Sequence, residues 1–290
     1  METIFEKITE WLKELLISWA MDYLTGIYDS VNEQVGQIAD EVGTTPADFS
    51  PAVFSMIENL SETVILPIAG VILTFIACYE LIQMIIEHNN LASFETWTFF
   101  KWIFKTAVAV LLIASTFDIT MAVFDLAQEV VAQSSSLITD STTLDDSSLS
   151  ALESTLEEME LGELLGVCLQ VTLVNWLLKF ISVGIFVVIY GRMIEIYCAV
   201  SLAPLPFATF GNREQSQIGQ NYLKSLLALG LQGFLIMVCV GIYAVMIQSI
   251  SYDVADNITS SLWSIVGFSV LLLFTLFKTG SIAKSVLGAR

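Results

Sequence analysis

The chain has few basic residues, and whole stretches lack them. Its 290 residues include 11 Lys and Arg against 30 Asp and Glu, and only 14% are charged. Between Asp118 and Glu163 there is no Lys or Arg, although 11 carboxylates lie there. Soluble domains carry about a quarter charged residues. So strong an excess of acid also argues against a broad nucleic-acid-binding surface.

Patterns for catalysis and for metal binding are absent as well. The sequence has one histidine, His88, and four cysteines without a close pair. A metal site needs clustered ligands, and a lone histidine gives no Ser-His or Cys-His pair with an orienting group. Neither a Gly-rich phosphate loop nor an HExxH motif occurs. We therefore expect no enzyme activity, no metal and no cofactor.

What the sequence does contain is long apolar runs. Apolar residues make up 55% of the chain, and the mean hydropathy is +0.74. About 20 apolar residues are enough to cross a bilayer as a helix. The pattern predicts an all-α, polytopic integral membrane protein with five transmembrane helices and N-terminal amphipathic helices. We place the spans at 64–86, from after Lys105 to Phe117, 164–190, within 222–250, and 262–277.

The predicted spans divide the chain into four parts. These are an extracytoplasmic amphipathic-helix region (1–63), spans one and two (64–117), an acidic extracytoplasmic loop (118–163), and spans three to five with a proline-containing cytoplasmic elbow (164–290). Within 1–63, apolar residues recur at helical spacing over 4–20 and more weakly over 27–42. Residues 1–20 lack the basic start and apolar block of a signal peptide, so insertion through the first span is expected.

Local signals predict several helix ends. Gly43-Thr44-Thr45-Pro46 should break the N-terminal helices, and Ser50-Pro51 fits an N-cap with proline at N1. Pro67 should kink the first span or mark its entry, and His88-Asn89-Asn90 should end it. Residues 133–147 are predicted to form an exposed loop, and Ser150 to Glu153 fits a capping box.

The region 164–210 allows two interpretations. Its only charges are Lys179, Arg192 and Glu195. We favour one span whose helix continues to Leu202, because no Gly, Pro or Asn cluster marks a turn near Lys179. The alternative is two packed spans that turn at Lys179, so four, five or six spans remain open.

The distribution of bases predicts the orientation. The segments 87–105, 191–224 and 278–290 hold eight bases, whereas 1–63, 118–163 and 250–261 hold only Lys7 and Lys13. Basic residues mark cytoplasmic loops. We therefore expect a multi-pass protein of the cytoplasmic membrane with its N-terminus outside and its C-terminus in the cytoplasm.

Two charges, Lys179 and Glu80, fall inside predicted spans. A charge at mid-bilayer costs about 3 kcal/mol on insertion scales, so Lys179 should face the bundle interior, a water-filled lumen or a partner. One interpretation is pore lining, or a ring of positive charge in a homo-oligomer; the other is a structural ion pair or a snorkelling side chain. Glu80 is the only candidate partner for Lys179 within the predicted spans.

A second group of candidates lies after the third span. Arg192 and Glu195 are three residues apart and could pair locally or face solvent separately. Pro204 and Pro206 should force a non-helical elbow at the cytoplasmic boundary. With Arg213 in the segment Gly211 to Glu214, this elbow is a candidate docking site for a cytoplasmic motor, or a simple turn.

The chain resembles the TrbL/VirB-type polytopic membrane subunits of conjugative type IV secretion systems, in the form found in Gram-positive mobile elements. The most family-like stretch leads from Gly191-Arg192-Met193-Ile194-Glu195 to Ser201-Leu202-Ala203-Pro204-Leu205-Pro206-Phe207-Ala208-Thr209-Phe210. The span layout and the acidic extracytoplasmic segment agree with it. The resemblance implies a non-enzymatic channel or scaffold subunit that assembles as a ring and contacts cytoplasmic ATPases. It would help to translocate a relaxase–single-stranded DNA substrate.

Two other classes of function remain open. A small-solute transporter or ion channel would also be polytopic, although transporters commonly show internal repeats with broken helices, and these five unequal spans do not. A structural membrane anchor for surface machinery is the third possibility.

Overall fold

The computed structural model describes residues 2–87, 96–135, 146–212, 214–251 and 257–289, and this part of the chain is helical without a β-strand. Five helical stretches in the described residues are long and apolar enough to cross a membrane. They are Pro51–Ile86, Trp97–Ala114, Leu161–Gly211, Ser216–Ile250 and Ile258–Leu287. The all-α, five-span expectation is confirmed.

The helices are numbered here in chain order. They are α1 (Glu2–Gly43), α2 (Pro46–Phe49), α3 (Pro51–Leu60), α4 (Leu66–Glu87), α5 (Thr96–Ala114), α6 (Thr116–Ser135), α7 (Asp146–Glu158), α8 (Leu161–Ser201), α9 (Pro204–Ala208), α10 (Ser216–Ser251) and α11 (Ile258–Leu287). A π-helical turn, Ser61–Ile65, joins α3 to α4, and a 3-10 turn, Thr209–Gly211, follows α9.

The two amphipathic stretches predicted over 4–20 and 27–42 lie in one helix, α1, which ends at Gly43 as predicted. The Thr45 hydroxyl accepts a 3.0 Å hydrogen bond from the Asp48 N–H and so caps α2. Ser50 and Pro51 hold the predicted N-cap and N1 positions of α3, although the Ser50 side chain makes no capping hydrogen bond.

Pro67 lies near the start of α4 without ending the helical stretch. A proline ring crowds the carbonyl four residues before it, and here that residue, Thr63, belongs to the π-helical turn. The wider turn relieves the clash, so helix continues from Pro51 to Glu87. The predicted stop at 88–90 lies outside the described residues.

Two local predictions in the acidic segment need correction. The capping box at Ser150 is wrong, because α7 begins at Asp146 and Ser150 lies inside it. The predicted loop 133–147 is helical to Ser135 and again from Asp146, while residues 136–145 lie outside the described part.

The third apolar segment is a single helix, as favoured above. α8 has 41 residues and is about 60 Å long at 1.5 Å per residue, twice the thickness of a bilayer core. It passes Lys179 without a turn, so the hairpin alternative is wrong.

By packing, the chain forms two compact units, each assembled from distant segments. The first comprises 1–43, 131–189 and 235–279. Its core joins α1, α7, α8, α10 and α11 through buried residues such as Leu24, Leu156, Ile185, Ile247 and Leu276. Because this core includes α1, the amphipathic helix is an integral part of the unit.

The second unit comprises 44–130, 190–234 and 280–290. One of its clusters packs Phe117 and Phe124 of α6 against Tyr197 of α8. The other joins α4, α5 and α9 through Leu73, Ile113 and Phe207. The proline-containing segment is therefore a packed element of this unit.

Candidate functional site

In the first unit α1 lies beside α8, and the two helices run in the same direction. Cys168 Sγ donates a long, 3.7 Å hydrogen bond to the Leu16 carbonyl. Further along both helices, Gln34 Nε2 donates to Ser182 Oγ at 2.8 Å. Since residue numbers rise together on the two helices, α1 accompanies the part of α8 that was predicted to be the third span.

Lys179 lies in a polar groove of about 190 Å³ between these helices. The groove is lined mainly by Ser30, Glu33, Gln34 and Gln37 of α1 and by Asn175, Lys179 and Ser182 of α8. The three α8 residues follow each other at spacings of four and three, which places them on one helix face. These three residues give α8 a polar face within a largely apolar segment.

The Lys179 ammonium is not neutralised by a carboxylate of the described residues, whose ion pairs are Lys105–Glu80 and Lys284–Glu195. Its Nζ lies 5.9 Å from the centroid of the Trp176 ring. A cation–π contact of this kind contributes about 0.5–1 kcal/mol when exposed. The side chain is exposed, so the positive charge of Lys179 is open to solvent or to a partner.

The helices α1 and α8 present two different surfaces. Exposed on α8 are large apolar side chains: Leu165, Leu169, Leu173, Trp176, Phe180 and Val183. Over its second half α1 exposes mainly polar and acidic side chains, which we call the acidic stripe: Asp22, Asp29, Glu33, Gln37 and Asp40. Nearer its start α1 also exposes apolar side chains, such as Trp11 and Leu15. The first surface suits lipid, whereas buried or lipid-facing carboxylates are costly. The acidic stripe therefore needs water or a polar partner.

Glu80, the other predicted intramembrane charge, forms an ion pair with Lys105. The pair links α4 to α5 in the second unit, with side chains 24% and 40% exposed for Glu80 and Lys105. The candidate pairing of Glu80 with Lys179 is thus replaced by one with Lys105. Sequence reasoning placed Lys105 at a span boundary and missed that the antiparallel neighbour α4 brings Glu80 to it.

The local pair suggested for Arg192 and Glu195 does not form. The Arg192 side chain is buried, with 7% of the residue exposed. Its Nε has no hydrogen-bond partner among the described residues. Glu195 lies on the exposed side of α8 and pairs with Lys284 of α11, whose Nζ is 2.8 Å from Glu195 Oε1. The spacing of three residues correctly placed Arg192 and Glu195 within one turn of a helix. It did not show that the Arg192 side chain is buried and that the Glu195 side chain is exposed.

The elbow at Pro204 and Pro206 is helical, contrary to expectation. Pro204 occupies the first turn of α9, where the backbone N–H groups have no intrahelical partner. Both prolines fit these positions because they have no N–H to leave unpaired. The Thr209 hydroxyl donates to the Pro206 carbonyl at 2.7 Å and accepts from the Gly219 N–H at 3.1 Å.

Packing fixes the elbow between α4, α5 and α10. Gly211 lies so close to α4 that a Cβ there would be 3.1 Å from Leu73 Cδ1. Asn212 is buried, and its Oδ1 accepts from the Glu214 N–H at 2.7 Å. Leu202 and Glu214 remain exposed at either end, whereas Arg213 lies outside the described residues. Among the described residues, these two flanking positions are accessible to a docking partner.

No group of three or more His, Cys, Asp or Glu side chains that could hold a metal ion occurs in the described residues. The four cysteines are free thiols.

Comparison with known proteins supplies an independent finding. The model of the family described as "TrbL/VirB6 plasmid conjugal transfer like protein" matches residues 31–204, more than half of the chain. The match runs from the second half of α1 to the start of the elbow, and it includes the acidic segment and Lys179. No curated protein and no solved structure matches the chain.

Proposed function

The chain belongs to the TrbL/VirB6-like family of plasmid conjugal transfer proteins, and from this premise we infer that it is a channel or scaffold subunit through which a relaxase–single-stranded DNA substrate crosses the membrane. As a member of this family it is a multi-pass component of a conjugation system and is associated with other subunits. The family is not a family of enzymes. The translocation role, a Gram-positive host and assembly as a homo-oligomer are parts of our proposal.

The proposal rests mainly on the difference between the apolar surface of α8 and the acidic stripe of α1 in the first unit. α1 and α8 run side by side, yet α8 exposes Leu173 and Phe180 while α1 exposes Glu33. If residues 164–190 cross the bilayer, the acidic stripe lies at the depth of the hydrocarbon core. Polar surface at that depth is tolerated only where it lines a water-filled space or meets protein. A ring of subunits with their acidic stripes turned inward satisfies this condition.

Within such a ring, Lys179 would place one positive charge per subunit beside the acidic stripe. A polyanion repelled by carboxylates would still be attracted locally by these ammonium groups. The stripe would limit adsorption of DNA to the wall, and Lys179 would mark the narrow region where the substrate passes close to α8. This is the pore-lining interpretation of Lys179.

Energy for transport has to come from a partner, because the sequence has no Gly-rich phosphate loop of the Walker type. We place the contact with a cytoplasmic ATPase at the exposed ends of the elbow, Leu202 and Glu214, and at Glu195. The packed residues Pro204 and Phe207 would hold this surface in position. The proposal keeps the N-terminus outside and the elbow in the cytoplasm. It departs from the predicted orientation in one respect, because it moves the acidic stripe from the extracytoplasmic side to the depth of the bilayer core.

The test uses single cysteines in a variant whose four native cysteines are replaced by serine. Cysteines are introduced at Glu33 and Gln37 on the acidic stripe and, as matched controls, at Leu173 and Phe180 on α8. In membranes containing the assembled transfer system, a water-soluble thiol reagent should label the first pair and not the second. Labelling at Glu33 should also block conjugative transfer.

Labelling of all four positions alike would show that residues 164–190 are not embedded in lipid and would remove the main support for the proposal. Labelling of the acidic stripe without an effect on transfer, even with a bulky reagent, would point to a membrane anchor rather than a conduit.

A further inference from the structure

A polar cavity of about 470 Å³ lies in the second unit where α4 ends and α5 begins. It is lined mainly by Glu80, Gln83, Thr98, Lys101, Trp102, Lys105 and Glu214. Lys101 and Lys105 are four residues apart on α5, so both reach the same side of that helix. The cavity thus holds two lysines and two carboxylates, and one of each, Lys105 and Glu80, form a partly buried ion pair.

The two lysines are in different electrostatic states. Lys105 is bound to Glu80. Lys101 is exposed, and no carboxylate of the described residues lies within ion-pair distance of it. Its Nζ lies 5.6 Å from the centroid of the Trp97 ring. Lys101 therefore offers an ammonium group to an incoming anion without first breaking an ion pair.

A second cavity of about 230 Å³ adjoins the first at Lys105. Apart from that lysine it is apolar, with walls formed by Phe104, Val108, Ala109, Leu112 and Phe210. A polar cavity with cations and an apolar cavity thus share Lys105 of α5. This matches a ligand with an anionic head and a hydrocarbon tail.

The surroundings of the cavities place them at the edge of a bilayer. Trp97 and Phe100 are exposed at the start of α5, and Phe104 is 71% exposed one turn further on. Tryptophan is enriched at membrane–water interfaces, and lysines at span ends reach toward phosphate groups. Beyond them, Leu111 and Phe75 present apolar surface for lipid.

We propose that the two cavities form a binding site for an anionic phospholipid, with its phosphate on Lys101 and Lys105 and an acyl chain against Phe104, Val108 and Leu112. Basic pockets between transmembrane helices are a known setting for anionic lipid headgroups. Glu80 competes with the lipid phosphate for Lys105 and so limits its affinity. The site depends on membrane insertion alone and not on the proposed role in DNA transfer.

The experiment measures lipid binding to the full-length, detergent-purified protein by native mass spectrometry. Phosphatidylglycerol and phosphatidylcholine with identical acyl chains are compared. We expect preferential binding of phosphatidylglycerol. Lys101→Gln should weaken that binding about fivefold, the effect of one lysine near an anionic lipid surface. The matched control Lys278→Gln removes a similarly exposed lysine of α11 outside the cavities and should leave binding unchanged.

A second variant tests the site from the opposite direction. Glu80→Gln releases Lys105, so phosphatidylglycerol should bind more tightly than to the wild type. This variant also keeps the test valid if Lys101→Gln fails to fold. Folding of each variant is checked by size-exclusion elution and helix content.

Three results would overturn the proposal. Equal weakening by Lys101→Gln and Lys278→Gln would show unspecific attraction to positive charge. Weaker binding to Glu80→Gln would contradict the competition at Lys105. Glycerophosphate that binds as tightly as the whole lipid would show that the apolar cavity takes no acyl chain and that the site recognises free phosphate.

Discussion

Lys284 of α11 and Glu195 of α8 form an ion pair in the second unit, with Nζ 2.8 Å from Oε1. Side-chain exposures are 43% for Lys284 and 50% for Glu195. Pairs as open to solvent as this one contribute about 0–1 kcal/mol. Its value therefore lies in fixing where the carboxylate of Glu195 points, rather than in stability.

We expect Lys284→Gln to lower the free energy of unfolding by less than about 1 kcal/mol. The loss should shrink further in high salt, because exposed charges are screened. Thermal unfolding of the detergent-solubilised protein at low and high salt measures this. A salt-independent loss well above that limit would mean that the pair is shielded from solvent.

Lys179→Ala should reduce conjugative transfer about tenfold or more while the amount of protein in the membrane stays the same. Charged positions in a confined path change the local concentration of charged substrates by one to three orders of magnitude. Lys179→Arg should retain most of the transfer, since the charge is kept. The mating frequency of each variant, with immunoblots of the membrane fraction, provides the measurement.

The control for Lys179 is Lys278→Ala, which removes an exposed lysine outside the groove. Its transfer frequency should match that of the wild type. Normal transfer by Lys179→Ala would eliminate the pore-lining role of this residue.

Gly219→Ala should destabilise the elbow by about 1–3 kcal/mol, the usual cost of forcing an extra carbon into packed structure. A Cβ at this position would lie 2.8 Å from the Pro206 carbonyl oxygen and 2.9 Å from Phe210 Cε2. The nearest atom is backbone, so the clash cannot be relieved by a side-chain rotation.

Gly191→Ala is the matched control, because no atom lies within 4 Å of a Cβ built there. Alanine is the better helix former by about 1 kcal/mol, so this variant should be as stable as the wild type or more stable. Thermal unfolding of the two variants compares them directly. Equal stability would show that α10 and the elbow are not tightly packed.

A cysteine at Ser147 should react with an impermeant thiol reagent in intact cells, whereas one at Gln217 should react only after lysis. The segment around Ser147 lacks bases, and Gln217 lies in the base-containing segment 191–224. Both experiments use the variant without native cysteines. The reverse pattern of labelling would invert the predicted orientation and move the elbow out of the cytoplasm.

The membrane spans could be predicted from sequence because long uncharged runs are a strong and local signal. The single helix around Lys179 followed from the absence of any turn residue nearby. The elbow was misjudged for a related reason: Pro204 and Pro206 usually end a helix, but the first turn of a new helix accepts them. The rule that proline disrupts a helix interior was correct, but the sequence did not show that these prolines lie in the first turn of a new helix.

The groove around Lys179 could not be predicted in the same way. Gln34 and Ser182 meet across 148 positions of sequence, and no periodicity links them. The apolar positions of α1 did predict an amphipathic helix. That they face the packed core of the first unit, with Leu24 and Ile38 fully buried, depends on tertiary packing. Lys105 was missed as the partner of Glu80 for the same reason.

The acidic stripe of α1 has a consequence for how this protein is made. If the stripe lies at the depth of the bilayer core, as proposed, a subunit inserted alone would expose the carboxylates of Asp29 and Glu33 to acyl chains until a protein partner covered them. A subunit without its partners would then be unstable in the membrane, and assembly would stabilise it. Membrane proteases would clear the surplus, so the partners of the transfer machinery would set how much of it persists.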